Sequence, residues 1–146
     1  MTYEAVSRVS VAVNIIASVA QALPNRFCRF DAAATESRAV ITHVPGANGA
    51  AARGILAMKA DAKNRVNGYV ASSMIIPNGA IAEVELGEAV TDLAVPLRIG
   101  GNGAEIDGAA YLANAAGDII VAYPLALGAV GQVIPIQFVG YGGVIA

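Results

Sequence analysis

The 146-residue sequence predicts a single all-β domain, a small antiparallel β-sandwich or barrel. Three observations carry that prediction. Four Asn-Gly dipeptides, Asn48-Gly49, Asn67-Gly68, Asn78-Gly79 and Asn102-Gly103, fall between apolar runs, and Asp107-Gly108 adds a fifth turn signal. Asn-Gly supplies the positive φ angles that a type I′ hairpin needs. Several of the intervening runs alternate apolar and polar side chains with period two, the pattern of a half-buried strand. The most apolar stretch, Gly117–Val139, is rich in β-branched residues and contains Pro124 and Pro135. Each proline removes a backbone donor and would break a helix, whereas the β-branched content favours strands.

Taken in order, residues 9–19 alternate well. Val9, Val11, Val13, Ile15, Ala17 and Val19 face one way, and a more polar set (Ser10, Ala12, Asn14, Ile16, Ser18, Ala20) faces the other. That is a strand, although the helical spacing of Ile16, Val19, Ala20 and Leu23 competes over its second half. Pro24-Asn25 ends the element. Arg26–Asp31 is a predicted strand with a buried aromatic side. Ala39–Val44 is a strand stopped by Pro45, Gly46–Gly54 is a loop, and Ile55–Ala60 is strand-like. Asp61–Val66 is the most polar and basic stretch. Tyr69–Ile76, Ile81–Leu86 and Val95–Ile99 follow as strands. In Ile81–Leu86 the inward set is Ala82, Val84 and Leu86, with Glu83 and Glu85 outward. In Val95–Ile99 the inward set is Val95, Leu97 and Ile99, with Arg98 outward. Pro96 suggests an edge position or a bulge. Tyr111–Leu112 is a short strand before a turn at Ala115-Ala116-Gly117-Asp118.

Ile119–Leu127 and Val133–Val139 read as a buried strand pair joined by Gly128-Ala129-Val130-Gly131. Nothing charged follows Asp118, which raises the question of a membrane span. The prolines, Gln132, Gln137 and the scattered glycines argue against one. The expected organisation is an apolar N-terminal arm or strand over 1–25, a β body over 26–139 and a tail over 140–146. No repeat of 20–50 residues and no linker divides the chain.

Composition sharpens the picture. Hydrophobic residues make up 56% and charged residues 14%, against ordinary values of about 45–50% and 25%. That balance argues against disorder. A chain of this size buries roughly 68–70% of its unfolded surface, which leaves apolar surface to be covered by subunit or partner contacts. The net charge of −2 creates no field for nucleic acid. The charges are nonetheless segregated: eight of nine basic residues lie between Arg8 and Arg65, and seven of eleven acids follow residue 80. Two readings stand: two complementary contact faces, or two solvated strand faces that pair within the monomer. Cys28 is the only cysteine, so no intrachain disulfide is possible, and its neighbours Phe27 and Phe30 mark it as a buried small hydrophobe. Asn14, the serines of the first apolar run and Glu4 beside Arg8 argue against a signal peptide, and assembly inside a cell is expected.

The search for catalytic chemistry is negative, and no enzyme, cofactor or metal is expected. His43 is the sole histidine and lies two residues before Pro45, which excludes a multi-histidine metal site within one chain. No Gly-x-Ser-x-Gly elbow is present. Lys59 and Lys63, the only lysines, do not follow glycine, so there is no phosphate-binding loop. Gly101-Asn102-Gly103 begins like a dinucleotide fingerprint but lacks its third glycine and is better read as a turn. Glu83 and Glu85 share a strand face, yet glycosidase clefts need aromatic platforms, and this chain has no tryptophan and 5% aromatics. Arg26-Phe27-Cys28-Arg29-Phe30 interleaves basic and aromatic residues as a single-strand binder would, though a strand with a buried aromatic face explains it better.

A run of short motifs carries a resemblance. Asp92-Leu-Ala-Val-Pro-Leu-Arg-Ile is followed by Asn102-Gly103, then by Ala116-Gly117-Asp118-Ile-Ile-Val-Ala, then by Gly131-Gln-Val-Ile-Pro-Ile-Gln-Phe. This series resembles the small capsid cement (head decoration) proteins of tailed bacteriophages, and Arg26–Asp31 and Gly54-Ile55-Leu56 are similar to their early strands. The similarity covers the last two-thirds or so of the chain. It departs at Thr91-Asp92, where Gly-Asp is more usual. The resemblance implies a jelly-roll-like or β-tulip domain with an extended apolar N-terminal segment. It further implies a virion structural protein, assembled in the host cytoplasm as a homodimer or homotrimer. Such a protein binds the outside of the phage head and bridges major capsid protein subunits, with no nucleic acid or membrane as partner. A fibre, tail or carbohydrate-binding module is the alternative. The expected contact segments are Val9–Leu23, Gly46–Gly54 and the tail Gly140–Ala146.

Overall fold

The computed structural model describes residues 24–29 and 79–146, together with the backbone of short strands at 11–14, 16–17, 21–22, 30, 40–42, 54–55, 60–61 and 72–75. The described residues form strands, bridges and turns, and the all-β expectation is met. The strands are β1 (Val11–Asn14), β2 (Ile16–Ala17), β3 (Gln21–Ala22), β4 (Phe27–Phe30), β5 (Val40–Thr42), β6 (Gly54–Ile55), β7 (Ala60–Asp61), β8 (Ser72–Ile75), β9 (Ile81–Glu85), β10 (Leu97–Ile99), β11 (Ala110–Leu112), β12 (Ala122–Pro124) and β13 (Val133–Phe138). The helical spacing over residues 16–23 is not realised at β2 and β3, which are extended and paired. The apolar N-terminal segment supplies β1, which pairs antiparallel with β8 from Val11↔Ile75 to Asn14↔Ser72.

The largest sheet among the described residues has five strands in the order β11-β10-β12-β13-β9. All its neighbouring pairs are antiparallel. A second sheet has the order β2-β5-β4-β6, and its β2–β5 pair is parallel, the one departure from antiparallel pairing among the described strands. The predicted strand pair is present, although its first strand is Ala122–Pro124 rather than Ile119–Leu127 and one side of the pair is exposed rather than buried: β12 and β13 pair through Ala122↔Phe138, Tyr123↔Gln137 and Pro124↔Ile136. Inward side chains from the whole sheet and its flanks build the core. Val84, Leu86, Leu97, Ile99, Val121, Ile136 and Phe138 are fully buried or nearly so, each contributing about 1.5–3 kcal/mol relative to exposure. The alternation assigned to Ile81–Leu86 therefore holds, as do Leu97 and Ile99. Val95 lies outside β10, half-buried in the turn before it.

Pro96 is placed differently from expectation. The strand β10 is internal to the sheet rather than at its edge. Pro96 is tolerated because it precedes β10, so its missing N–H falls outside the ladder while its carbonyl accepts from Ala113 N at 2.8 Å.

The sheet curls until its two edges meet. Leu86, just past β9, forms a parallel bridge with Ala110 of β11, and Gly87 N donates to Ala110 O at 2.9 Å. One step further along, a different segment fills the seam. Glu85 N donates to Asn25 O and Phe27 N donates to Gly108 O, both at 2.8 Å. Pro24-Asn25 directs this insertion, with Asn25 at φ 59°, a left-handed conformation that asparagine tolerates. Phe27 thereby enters the core, its ring 6.4 Å from that of Phe138. Closing the seam in this way leaves neither edge of the sheet as an open template there.

Candidate interaction surface

Three turns of the described region are closed by the same device. In each, the fourth residue donates its backbone N–H to the carbonyl of the first, and its side chain reaches back to accept from the first residue's N–H. Glu105 N donates to Asn102 O at 3.3 Å, and Glu105 Oε1 accepts from Asn102 N at 3.1 Å and from Gly101 N at 3.2 Å. Asp118 N donates to Ala115 O at 3.0 Å, and its Oδ2 accepts from Ala115 N at 3.0 Å and Asn114 N at 3.1 Å. Gln132 N donates to Ala129 O at 3.1 Å, and its Oε1 accepts from Ala129 N at 2.7 Å. Each turn contains a glycine at positive φ, namely Gly103 (64°), Gly117 (91°) and Gly131 (86°). Asn102-Gly103 is therefore a turn, but not a two-residue type I′ hairpin. Asn102 does not adopt positive φ, and the loop joining β10 to β11 runs over residues 100–109. The spacing of an acid or amide side chain three residues after the turn's start was the readable signal for these closures. The dipeptides Asn48-Gly49 and Asn67-Gly68 lie outside the described residues.

Arg98 joins two of these turns. Its Nη1 and Nη2 donate to Glu105 Oε1 and Oε2 at 2.8 and 2.6 Å, a bidentate pair, and its Nε lies 3.6 Å from Asp118 Oδ2. The guanidinium also sits 5.4 Å from the centre of the Tyr111 ring. The hydrogen bonds to Glu105 raise the Arg98 pKa, against the opposing effect of burial. The same contacts, from Arg98 first, hold the Glu105 carboxyl below its ordinary range. Tyr111 in turn lies across two glycines. A Cβ built on Gly100 would fall 2.1 Å from the Tyr111 ring, and one on Gly87 would fall 2.3 Å from it. The Tyr111 hydroxyl accepts from Ile106 N at 2.9 Å, and Glu88 Oε2 accepts from Leu112 N at 3.0 Å. Arg98, read from sequence as an outward residue, is thus on the outer side of β10 but packed and paired there. The sequence reading missed this cluster because its members are contributed by separate strands and loops.

The acids weighed earlier are not brought together for chemistry. Glu83 is exposed, while Glu85 is partly buried and takes Arg26 Nη2 at 3.4 Å. Among the described residues, no group of three His, Cys, Asp or Glu side chains is arranged to hold a metal. His43, Lys59 and Lys63 lie outside the described residues. Cys28 is fully buried, and burial pushes its thiol pKa up to about 12, so it stays neutral at ordinary pH. No helix among the described residues is long and apolar enough to cross a membrane.

Two surfaces remain. The tail Gly140–Ala146, one of the expected contact segments, is folded back along residues 117–121. Gly142 N donates to Ile120 O at 2.7 Å, Ile120 N to Gly143 O at 3.0 Å, and Ile145 N to Asp118 O at 2.9 Å, around an Ile119↔Val144 bridge. Tyr141 and Val144 still project, 58% and 51% exposed. The other surface is the outer side of β12, β13 and β9. Tyr123, Gln137 and Ile81 stand in one cross-strand row. Leu125, whose N–H donates to Pro135 O at 3.0 Å, stands with Pro135 and Glu83 in the next, and Val133 stands opposite Glu85 in a third. The expected contact segments Val9–Leu23 and Gly46–Gly54 lie outside the described residues except for short stretches of strand backbone.

No protein-family model matches the chain. A search of curated proteins also finds no match. Among solved structures, the fold is similar to that of the head fibre gp8.5 N base in bacteriophage phi29. The TM-score is 0.66 at 14% sequence identity, and the match covers 90% of this chain and 96% of the other. At that identity the likeness is one of fold, and it extends over nearly the whole of both chains.

Proposed function

We propose that the chain is a structural protein of a bacteriophage virion, carried on the outside of the head, where it contacts the major capsid protein and reinforces the shell as a cement or decoration protein. The observation that carries this reading is the likeness, over 90% of the chain, to the base of a phage head fibre. The motif resemblance to capsid cement proteins supports the same class independently. That same neighbour favours a second reading within the class, in which the domain is the base of a fibre rather than a cement between capsomers. Both readings require binding surface and no catalytic step.

The tail offers a contact suited to either. Its pairing to residues 117–121 holds Tyr141 and Val144 in place at the surface. A positioned apolar pair loses less freedom on docking than a loose tail would. The test is sedimentation of the purified chain with heads lacking it, followed by cryo-EM of the particles. Density at the outer surface between capsomers is expected for a cement, and density at the foot of a projection for a fibre base. Failure to bind any phage head would sink both. Replacing Tyr141 and Val144 by serine is expected to reduce binding to heads without moving the melting temperature.

A further inference from the structure

The tail leaves an open strand edge. Ile119 and Val144 form an antiparallel bridge whose hydrogen bonds lie one step to either side, from Ile120 N to Gly143 O at 3.0 Å and from Ile145 N to Asp118 O at 2.9 Å. In such a pair the N–H and C=O of each bridged residue point away from the opposite strand. Those of Val144 therefore point to the side of the tail that faces away from residues 117–121. Among the described residues neither has a hydrogen-bond partner, and the Gly142 carbonyl and the Ala146 N–H have none either. Gly142, Val144 and Ala146 are exposed, whereas Gly143 and Ile145 between them are half-buried. The tail is seated in this position. A Cβ on Gly142 would fall 2.9 Å from Ile120 Cγ2 and 3.1 Å from Val139 Cγ2, so the strand lies as close to residue 120 as a glycine allows.

The five-stranded sheet closes its own edges against each other at Leu86 and Ala110, so an edge left unpaired stands out as a template. Unpaired backbone groups at alternate residues fit one kind of partner. Another extended backbone returns a C=O to each N–H and an N–H to each C=O in strand register. The sequence narrows that partner further. No charged residue occurs from Ile119 to Ala146. A charged side chain laid along this edge would meet no opposite charge there and would lose water without compensation. The complement is therefore an uncharged, largely apolar segment, and the exposed side chains of Tyr141 and Val144 offer it apolar contact. We propose that the tail edge centred on Val144 takes an extended, uncharged segment of the major capsid protein as an added strand. This rests on the virion reading and names the way in which its tail contact is made. Main-chain hydrogen bonds supply the affinity, and the side chains on either side of the edge select the segment. Because the edge is already held to residues 117–121, only the incoming segment has to be ordered on docking.

The experiment is hydrogen exchange of the full chain, free and bound to purified heads that lack it, read residue by residue over the tail. In the free chain the amides of Gly142 and Ile145, which are bonded to Ile120 and Asp118, are expected to exchange slowly and that of Val144 fast. On heads, exchange at Val144 and Ala146 is expected to slow by about tenfold or more. Two variants accompany it. Val144→Pro removes an N–H that the fold does not use, so it is expected to keep the melting temperature and to weaken head binding by about tenfold or more. Val144→Thr keeps the N–H and the β-branched shape and is expected to bind heads much more tightly than Val144→Pro. Should Val144→Pro fail to fold, exchange in the wild type decides alone. A wild-type chain that binds no phage head overturns the virion reading, and the partner named here with it. Bound heads with Val144 still exchanging fast, or with folded Val144→Pro binding as tightly as the wild type, overturn the strand addition alone. Equal losses in Val144→Pro and Val144→Thr would make the contact one of side chains and likewise overturn it. So would slowing at Val144 in the free chain that grows with its concentration, which would give the edge to a second copy.

Discussion

The two outer sides of the five-stranded sheet make an instructive pair. On the β10–β11 side, the outward residues Arg98 and Tyr111 stand opposite one another and are covered by the chain's own loops. Glu105 and Asp118 reach Arg98 from two turns, and glycines at 87 and 100 clear the room for the Tyr111 ring. On the β12–β13–β9 side, the outward residues Tyr123, Leu125, Val133 and Ile81 are exposed. The same period-two alternation produced both. The difference lies in what the connections carry. The 100–109 and 113–118 loops return polar groups to their own sheet, whereas no described loop lies over the other side. A polar outer side covered by the chain itself is finished, and an apolar outer side left bare is a surface for something else.

The comparison predicts that the closed side is fragile and the open side tolerant. The largest effect is expected beneath both, at the shared core. Phe27→Ala should cost about 4 kcal/mol in denaturant unfolding, because it empties the site against Phe138 and loosens the seam. A cost near zero would show that residues 24–29 are not part of the same cooperative unit. Next comes Gly100→Ala, whose methyl would meet both the Tyr111 ring and, at 2.9 Å, the Ala109 carbonyl. A loss of about 3 kcal/mol is expected, measured in the same way. Unchanged stability would mean that Tyr111 can leave its place at little cost, and the closed side would not be closed.

Glu105→Gln should cost about 2 kcal/mol, since it leaves the Arg98 fork with a neutral partner. Its pH dependence has a definite sign. The Glu105 carboxyl is held below its ordinary value of 4.5, so its contribution is present above that value and lost as pH falls through the lowered one. The gap between wild type and Glu105→Gln should therefore narrow as the pH is brought from 7 to about 3. A gap that stays constant would show that the pair contributes through packing rather than charge. The smallest effect belongs to the open side: Tyr123→Ser should change monomer stability by no more than about 0.5 kcal/mol. A larger loss would mean that the β12–β13–β9 side is already covered within the monomer.

Much of the fold was legible in the sequence. Alternation placed Val84, Leu86, Leu97 and Ile99 in the core, and β-branched content with a glycine turn marked the β12–β13 pair. These are local signals, set by the geometry of one strand or one turn. The functional surfaces were less legible. Gly140–Ala146 lacks charge and alternation, and nothing within it announces that it folds back along residues 117–121. Arg98 read as simply outward because the carboxylates that hold it come from loops whose return path is not written in their own residues. Arg26 and Glu85, which pair at 3.4 Å, are 59 residues apart in the chain.

By itself, then, the sequence determined the all-β class, the places of several turns and which side chains of β9 and β10 face inward, because each depends on residues within a few positions of one another. It also determined the apolar excess and the separation of charge, which are properties of composition. Only the tertiary structure decided where that excess lies. Curling the sheet brought Leu86 to Ala110, drew Phe27 into the seam and set the 100–109 and 113–118 loops over the β10–β11 side. Coverage of a surface is a long-range property: it depends on where connections return in space, and period two is the same on a covered side and a bare one.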